Sequence, residues 1–188
     1  NGASGTIRNM SISYMTGDGI YAGSFKKDGV TYHSRTIYDG LEISYCRKNG
    51  IGQLSTDGTE FLNCNIHHIG TSDHLQGTSP MAGIDFEYED KLGATGNITL
   101  RGCNIHDCAQ NTIIGSEKSR ACPQIFLMEN CLIEGCKLHI GNIEASKKKI
   151  MRHCTISAPI LLGFTQVDSC TFQIGATGLS VSGTTFRG

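Results

Sequence analysis

The segment AGIDFEYED, residues 82–90, concentrates carboxylates in a pattern that could carry out chemistry. Side chains alternate along a β-strand, so a strand here turns Ile84 and Phe86 toward one face. Asp85 and Glu87 then share the other face, with Cα atoms roughly 7 Å apart. Carboxyl groups about 5 to 9.5 Å apart suit glycoside hydrolysis, in which one protonates the leaving oxygen and the other acts on the anomeric carbon or on water. The segment therefore predicts a catalytic pair, with Glu87 as acid and Asp85 as base or nucleophile, although these roles are interchangeable at this level.

The acidic segment also has non-catalytic interpretations. A strand with one wet face carries acids there without any function, and such a face can also bind a ligand without cleaving it. Glu89 and Asp90 extend the segment and are candidates for binding sugar hydroxyls. A calcium ion is a further alternative, because Ca²⁺ takes about six or more oxygen ligands and these acids offer several. No residue is assigned as a metal ligand, and no cofactor is expected.

A repeated sequence pattern must position this strand. Short segments such as RNMSISY, LNCNIHHI and RGCNIHDC recur, and a second recurring piece places Gly before an aliphatic residue, as in DGIYAG, NGIGQL and AGIDFE. Each repeat predicts a strand, a tight turn, a strand and a longer loop, and like residues at like positions favour a solenoid over a sandwich. The second apolar residue of each short segment serves as its anchor: Ile12, Ile43, Ile66, Ile105, Ile133, Ile156, Phe172 and Phe186.

The cysteines follow the same repeat. Of nine cysteines, eight lie two residues before or three residues after an anchor, in columns of mostly apolar or small residues, and only Cys122 lies outside. Equivalent side chains stack about 4.8 Å apart between rungs, so these cysteines are predicted to be buried free thiols. Disulfides are disfavoured because parallel neighbours point the same way. Zinc sites that combine these cysteines with His106 or His153 are disfavoured because the columns already account for the thiols.

Three motifs carry a family resemblance: an RxNGI turn at 47–51, an NCxI strand at 63–66 and an AGIDxE strand at 82–87. Together with the repeat they resemble the right-handed parallel β-helix, or pectate-lyase-like, superfamily, and in particular the β-helices of phage tailspikes and tail appendages. The resemblance implies an all-β fold, a single-stranded right-handed parallel β-helix (solenoid) of about seven to eight rungs. Residues 1–188 are interpreted as a single domain and as a fragment of a longer chain.

The resemblance also implies a function and a setting. It favours a tailspike or appendage that binds and depolymerises a cell-surface polysaccharide or teichoic-acid polymer as a hydrolase, and that assembles as a homotrimer. Such a protein is made in the host cytoplasm and ends in the virion or outside the cell, which agrees with free thiols. One alternative is a non-catalytic structural or adhesin β-helix. Another is a polysaccharide lyase or epimerase, although Tyr21, Tyr32 and Lys91 form no recognisable set and the polygalacturonase and calcium-lyase signatures are missing.

Composition disfavours other classes of function. The chain has 188 residues and a formal net charge of −1, so no basic surplus favours a nucleic-acid partner. No apolar run approaches the roughly 18 residues of a membrane span, and no membrane insertion is expected.

Insertions into the repeat indicate a binding face, because insertions in solenoids form loops. Insertions at 70–80 and 90–96 flank the acidic strand, and a third at 116–124 follows the equivalent strand of the next rung. These loops are predicted to wall a groove that an insertion at 23–35 extends. A cationic side chain there would hold an acidic sugar or a phosphate. The substrate-binding candidates in the loops are Asp73, His74, Glu117, Lys118 and Arg120.

Histidines beside the anchors form a second polar group. His67 is predicted to stack on His106 of the next rung, and His68 on Asp107. A His–Asp pair there could act as a base and its orienting group, but a polar ladder along the turn is the favoured interpretation. The basic run at 147–149 is interpreted as a solvated turn.

Overall fold

The computed structural model describes eleven ranges of the chain: 3–32, 34–56, 58–71, 76–87, 97–115, 125–135, 137–139, 148–157, 160–161, 164–173 and 185–187. These ranges form strands and turns without a helix. None of them therefore provides a helix long and apolar enough to cross a membrane.

The strands form a parallel β-helix with three sheets, named A, B and C. Sheet A runs in the order β1 (Ala3–Arg8), β6 (Ser34–Asp39), β9 (Thr59–Leu62), β12 (Ile98–Arg101), β15 (Ile125–Glu129), β18 (Lys148–Arg152), β21 (Gln166–Asp168) and β23 (Thr185–Arg187). Sheet B runs β2 (Ser11–Ser13), β7 (Glu42–Ser44), β10 (Asn65–His67), β13 (Asn104–His106), β16 (Leu132–Glu134), β19 (Thr155–Ser157) and β22 (Thr171–Phe172). Sheet C comprises β3 (Ile20–Gly23), β8 (Ile51–Leu54), β11 (Ala82–Glu87), β14 (Asn111–Gly115), β17 (Lys137–His139) and β20 (Ile160–Leu161). The predicted solenoid and its rung count are confirmed.

The predicted anchors form the inner face of sheet B. Ile43, Ile66 and Ile105 pair in register on neighbouring strands, and each is 0% exposed. The same column begins with Ile12 and ends with Phe172. Seven of the eight predicted anchors therefore stack as the repeat indicates.

The assignment of Phe186 to this column is wrong. Its strand β23 pairs with β21 in sheet A, where Phe186 is in register with Val167. Phe186 lies 14 residues after Phe172, whereas the preceding full rung, from Ile156 to Phe172, takes 16. Phe172 belongs to sheet B and Phe186 to sheet A.

One residue with left-handed backbone joins each strand of sheet A to the following strand of sheet B. Asn9 and Asn63 have φ values of 52°, and Gly40 and Gly102, at the same position in the alternate rungs, have φ values of 61° and 62°. Asn tolerates this region and Gly enters it freely. A Cβ on Gly102 would lie 2.6 Å from Asn63 Oδ1, so a larger residue there would require the Asn63 side chain to move.

A glycine column explains why Gly recurs before the aliphatic residue of sheet C. Gly19, Gly50 and Gly83 stack at the entrance to this sheet. A Cβ on Gly50 would lie 2.6 Å from the carbonyl oxygen of Gly83, and a Cβ on Gly83 would lie 2.6 Å from that of Thr112. Any larger residue would push the rungs apart.

Aromatic rings and thiols fill the interior. Tyr38 stacks on Phe61 with 4.9 Å between ring centroids, and Phe61 packs edge to face on Phe86 at 6.0 Å. The cysteine prediction is confirmed for the described cysteines, which are all free; Cys170 is partly exposed, and Cys122 and Cys136 lie outside the described residues. The buried ones are Cys46, Cys64, Cys103, Cys108, Cys131 and Cys154.

The interpretation of 147–149 as a solvated turn is wrong for Lys149, which is buried in a strand, and half right for Lys148, which is exposed but also lies in that strand. Lys148 and Lys149 begin β18, and Lys149 pairs in register with the buried Phe126. Side chains at paired positions face the same side of a sheet, so Lys149 takes an inward position and is only 6% exposed.

The insertion at 23–35 contains an antiparallel hairpin, formed by β4 (Phe25–Lys27) and β5 (Val30–Tyr32). The Ser24 hydroxyl accepts a hydrogen bond from the Ser34 amide at 3.1 Å, which ties the two ends of the hairpin together. Phe25 and Tyr32 stack with 5.0 Å between their centroids. The hairpin therefore projects from sheet C with an aromatic pair on it.

Candidate functional site

Asp85 faces away from the core but is shielded from solvent. Its neighbours on β11, Ile84 and Phe86, are core residues with 0% exposure, so strand alternation points Asp85 outward. Asp85 is nevertheless only 6% exposed. Asp85 is therefore not part of a solvent-exposed acidic face, which was the simplest interpretation of the sequence.

Glu87 meets a phenol and an ammonium group from two preceding rungs. The Tyr21 hydroxyl donates a hydrogen bond to Glu87 Oε2 at 3.1 Å. Lys48 Nζ lies 3.5 Å from Glu87 Oε1 and also 3.5 Å from Asp18 Oδ2. Tyr21, Lys48 and Asp18 thus enclose the acidic pair on one side.

Gly52 leaves the space that this enclosure needs. In sheet C, Gly52 pairs with Tyr21 on one side and with Asp85 on the other. A Cβ on Gly52 would lie 2.7 Å from Tyr21 Cδ2 and 3.3 Å from Asp18 Oδ2. The phenol therefore lies over a bare backbone and reaches past it to the rung of the acids.

Asn49, from the RxNGI turn, orients two of the carboxylates. Its side-chain Nδ2 donates to Asp85 Oδ2 at 3.3 Å, while its Oδ1 accepts from the Ala82 amide at 3.1 Å. Its backbone amide donates to Asp18 Oδ1 at 3.1 Å. Asn49 is 0% exposed, so this network is fixed inside the turn.

The environment of Asp85 favours its protonated form. Burial raises the pKa of Asp85 to about 7, and the charge of Glu87 and a hydrogen bond with Glu87 raise it in the same direction. Lys48 acts against these effects and Asp18 adds to them. Burial lowers the pKa of Lys48, but Asp18 and Glu87 outweigh burial and raise it, so Lys48 stays cationic.

The two carboxyl groups interact with each other. The charge of Glu87 and a side-chain hydrogen bond with Glu87 both raise the pKa of Asp85, after the larger effect of burial. The interaction therefore favours the protonated form of Asp85, the buried member of the pair, whereas Glu87 contacts Tyr21 and Lys48.

Lys48 also bears on the calcium alternative. Its ammonium group lies between Asp18 and Glu87, where a cation bound by these acids would lie. Lys48 therefore offsets one negative charge of the cluster that Asp18, Asp85 and Glu87 form. The remaining two acids of that alternative, Glu89 and Asp90, lie outside the described residues.

The predicted binding residues all lie outside the part of the chain that the structure describes: Asp73, His74, Glu89, Asp90, Glu117, Lys118 and Arg120. The loops at 90–96 and 116–124 lie outside it too, so the groove they were expected to wall stays a prediction. The described end of the loop at 70–80 packs on the turn before β8. There Arg47 Nε donates to the Gln76 carbonyl at 2.8 Å, and the Thr78 amide donates to the Arg47 carbonyl at 2.9 Å.

Asp18, Lys48 and Asn49 were not predicted as partners of the acidic pair, and Tyr21 was not predicted to belong to a catalytic set. The signal was present in the repeat, because Asp18 and Asn49 precede equivalent glycines, Gly19 and Gly50. Aligning those turns on β11 places Asp18 and Asn49 in the column of Ala82, three residues before Asp85.

The predicted histidine stack is confirmed. His67 and His106 pair in register, and their rings stack with 5.0 Å between centroids at 9°. His106 Nδ1 lies 2.7 Å from Asp107 Oδ2, and His67 Nε2 lies 2.5 Å from Glu42 Oε1. The pKa of Asp107 is lowered, chiefly by its hydrogen bond with His106.

Comparison with known proteins gives one match. A family model described as a right-handed β-helix region matches residues 1–186. No curated protein and no solved structure matches the chain.

Proposed function

The chain belongs to the right-handed β-helix family, and from this premise we propose that it binds and depolymerises a bacterial cell-surface polysaccharide, with Asp85 and Glu87 as the catalytic pair. The observation that carries this proposal is the buried, outward-facing Asp85, whose pKa is raised to about 7 beside Glu87. Titratable pairs whose environments separate their protonation states are typical of acid–base sites. A carboxyl group serving only solubility gains nothing from such burial.

The raised pKa of Asp85 supports one assignment of roles in the proposed hydrolysis. Asp85 carries the proton and acts as the general acid, which exchanges the roles first suggested by the sequence. It donates this proton to the glycosidic oxygen as the bond to the anomeric carbon breaks. Glu87 accepts a proton from the attacking water, whose hydroxyl group bonds to the anomeric carbon. The hydrogen bond between the two carboxyl groups returns the proton from Glu87 to Asp85.

Lys48 and Tyr21 have positioning roles in this mechanism. Both contact Glu87 and so direct its carboxylate oxygens. Asn49 holds Asp85 Oδ2 in the same way. Direct attack by water needs the two carboxyl groups about 6.5 to 9.5 Å apart, so substrate binding must separate Asp85 from Glu87 to make room for the water.

A polysaccharide lyase is the second candidate, and Tyr21 and Lys48 favour it. In β-elimination a base removes the proton beside a uronate carboxylate, an acid protonates the leaving oxygen, and a cation neutralises the uronate. Tyr21 and Lys48 each contact Glu87, at 3.1 Å and 3.5 Å. Glu87 could serve as the base, Tyr21 as the acid and Lys48 as the cation. The product would carry a new carbon–carbon double bond.

The biological setting is part of the proposal. The RxNGI, NCxI and AGIDxE motifs resemble those of phage tail β-helices, which favours a location on the virion and a homotrimeric assembly. The target is then a surface polymer of the host, either a polysaccharide or a teichoic acid. Light scattering coupled to size-exclusion chromatography tests the assembly, and a monomer in solution would contradict it.

The direct test incubates the protein with capsular polysaccharides, lipopolysaccharides and teichoic acids extracted from a panel of bacteria. We expect loss of polymer mass with the wild type, and at least about 100-fold slower cleavage by Asp85→Asn and Glu87→Gln. Glu60→Gln is the matched control, because Glu60 is also ion-paired and its side chain is 30% exposed, against 29% for Glu87. Near-ultraviolet absorbance of the products would reveal the new double bond and identify the protein as a lyase. Polymer binding without cleavage would identify it as an adhesin.

A further inference from the structure

A second polar cluster lies in sheet B and in the turn that follows it, whereas Asp85 and Glu87 belong to sheet C. We propose that His68, His106 and Asp107 bind one divalent transition-metal ion of the Zn²⁺ class. Each residue offers one nitrogen or oxygen ligand, and the three ligand atoms all lie within 4.8 Å of one another. Ligands about 2.0 to 2.2 Å from a tetrahedral zinc ion are roughly 3.3 Å apart, so small side-chain movements close the site.

The repeat itself brings these ligands together. His67 pairs in register with His106, so the next residues, His68 and Asp107, occupy the same turn position in successive rungs. Both have left-handed backbone, with φ values of 54° and 50°. His106 precedes Asp107 and supplies the third ligand from the end of β13. A ligand set from two neighbouring rungs is therefore a direct consequence of the solenoid register.

Surrounding side chains hold the histidine rings in position. His67 stacks on His106 and contacts Glu42 through its Nε2. Tyr45 packs on His68 with 5.0 Å between ring centroids. Contacts of this kind fix ring orientation around metal ions and reduce the reorganisation that binding requires.

The donor set selects the class of metal. Two imidazoles and one carboxylate suit Zn²⁺ and its neighbours in the first transition row, whereas Ca²⁺ and Mg²⁺ prefer ligand sets made of oxygen. The Asp107 side chain is 58% exposed, so the site is open to solvent on that side. Three protein ligands leave one coordination position for water.

Isothermal titration of the purified chain with ZnCl₂ tests this site without reference to the proposed depolymerase activity. We expect one Zn²⁺ per chain, and at least about tenfold weaker binding by His68→Ala, His106→Ala and Asp107→Asn. His153→Ala is the matched control, since His153 is an exposed turn histidine in another column, and it should retain wild-type affinity. Far-ultraviolet circular dichroism checks the fold of each variant. If the histidine variants unfold, the Zn²⁺ affinity of Asp107→Asn, a substitution at an exposed residue, decides whether the site exists.

Titration with Co²⁺ separates this site from the cysteines. Nitrogen and oxygen ligands give weak visible bands, whereas cysteine ligands add an intense near-ultraviolet band from the thiolate. We expect the weak bands alone, and we expect Asp107→Asn to alter them. Absence of Zn²⁺ binding, unchanged affinity in folded variants of the three ligands, or a thiolate band at the first equivalent would each overturn the proposal.

Discussion

The Tyr21 phenol donates a hydrogen bond to Glu87 at 3.1 Å, although the two residues lie 66 positions apart in the chain. The contact crosses one whole rung, whose residue in the Tyr21 column is Gly52. Three successive rungs therefore contribute to one site: Asp18 with Tyr21, Lys48 with Asn49, and Asp85 with Glu87. Residues distant in the sequence become neighbours because equivalent positions of a solenoid stack.

The proposed role of Asp85 predicts the pH dependence of polymer cleavage. Asp85 must hold its proton to act as the acid, so the rate should fall as the pH rises through about 7. The measurement is kcat/KM against pH for the wild type on the polymer identified in the panel. A rate that is constant from about pH 5 to pH 9 would assign the proton donor to another group.

Lys48→Met should move this alkaline limb to higher pH. Lys48 acts to lower the pKa of Asp85, so removing its charge lets Asp85 keep its proton longer. The midpoint of the limb is the readout, because it is independent of how much activity the variant retains. Lys26→Met, which removes a charge from the exposed hairpin, should leave the midpoint unchanged.

Asp85 also predicts how stability depends on pH. Its pKa is raised in the folded protein, so between about pH 4 and pH 7 the folded chain binds a proton that the unfolded chain has lost. The free energy of unfolding should therefore fall as the pH rises through this window, by up to about 1.4 kcal/mol per pH unit. Urea unfolding of Asp85→Asn should lack this fall, whereas Glu60→Gln should keep it. Identical slopes for Asp85→Asn and the wild type would contradict the assignment.

Gly52→Ala should damage the site through the Tyr21 ring. The new Cβ would lie 2.7 Å from Tyr21 Cδ2, so the ring must shift away from Glu87. We expect a loss of stability of about 1 to 3 kcal/mol and a lower cleavage rate. Gly17→Ala is the control, because a Cβ there meets nothing within 4 Å, and its effect should stay within about 0.5 kcal/mol. Equal effects of the two substitutions would show that Gly52 is not needed for space.

The stacked thiols should be unreactive in the folded protein. Cys64, Cys103, Cys131 and Cys154 are free and no more than 2% exposed. A thiol-alkylating reagent should therefore leave them unmodified in the native state and modify them in denaturant, as peptide mass spectrometry would show. Rapid native labelling of Cys103, in the centre of the column, would contradict the stacked arrangement.

The parts of the fold that follow from local pattern were predictable from the sequence. Ile43, Ile66 and Ile105 share one position in short, similar segments, so their stacking could be read directly. Phe186 resembles them in residue type, but the pairing of its strand β23 with β21 places it in sheet A. Lys149 resembles a solvated basic run, and only the strand register reveals its inward position.

The site was predictable only in part. The alternation of β11 indicates that Asp85 and Glu87 face outward together, and this orientation holds. Their covering was not predictable, because Tyr21 and Lys48 come from other rungs and the hairpin insertion between Gly23 and Arg35 obscures the alignment of those rungs. Solvent exposure of a single outward residue depends on these neighbours, which no local pattern contains.

A direct measurement of the Asp85 protonation state tests the central claim without knowledge of the polymer. Carbon-13 NMR of the Asp85 carboxyl group, assigned by its absence in Asp85→Asn, gives its titration midpoint. We predict a midpoint near 7 in the wild type and a lower one in Glu87→Gln, where the neighbouring charge is absent. A midpoint near the ordinary aspartate value of about 4 in both proteins would contradict the proposed acid–base pair.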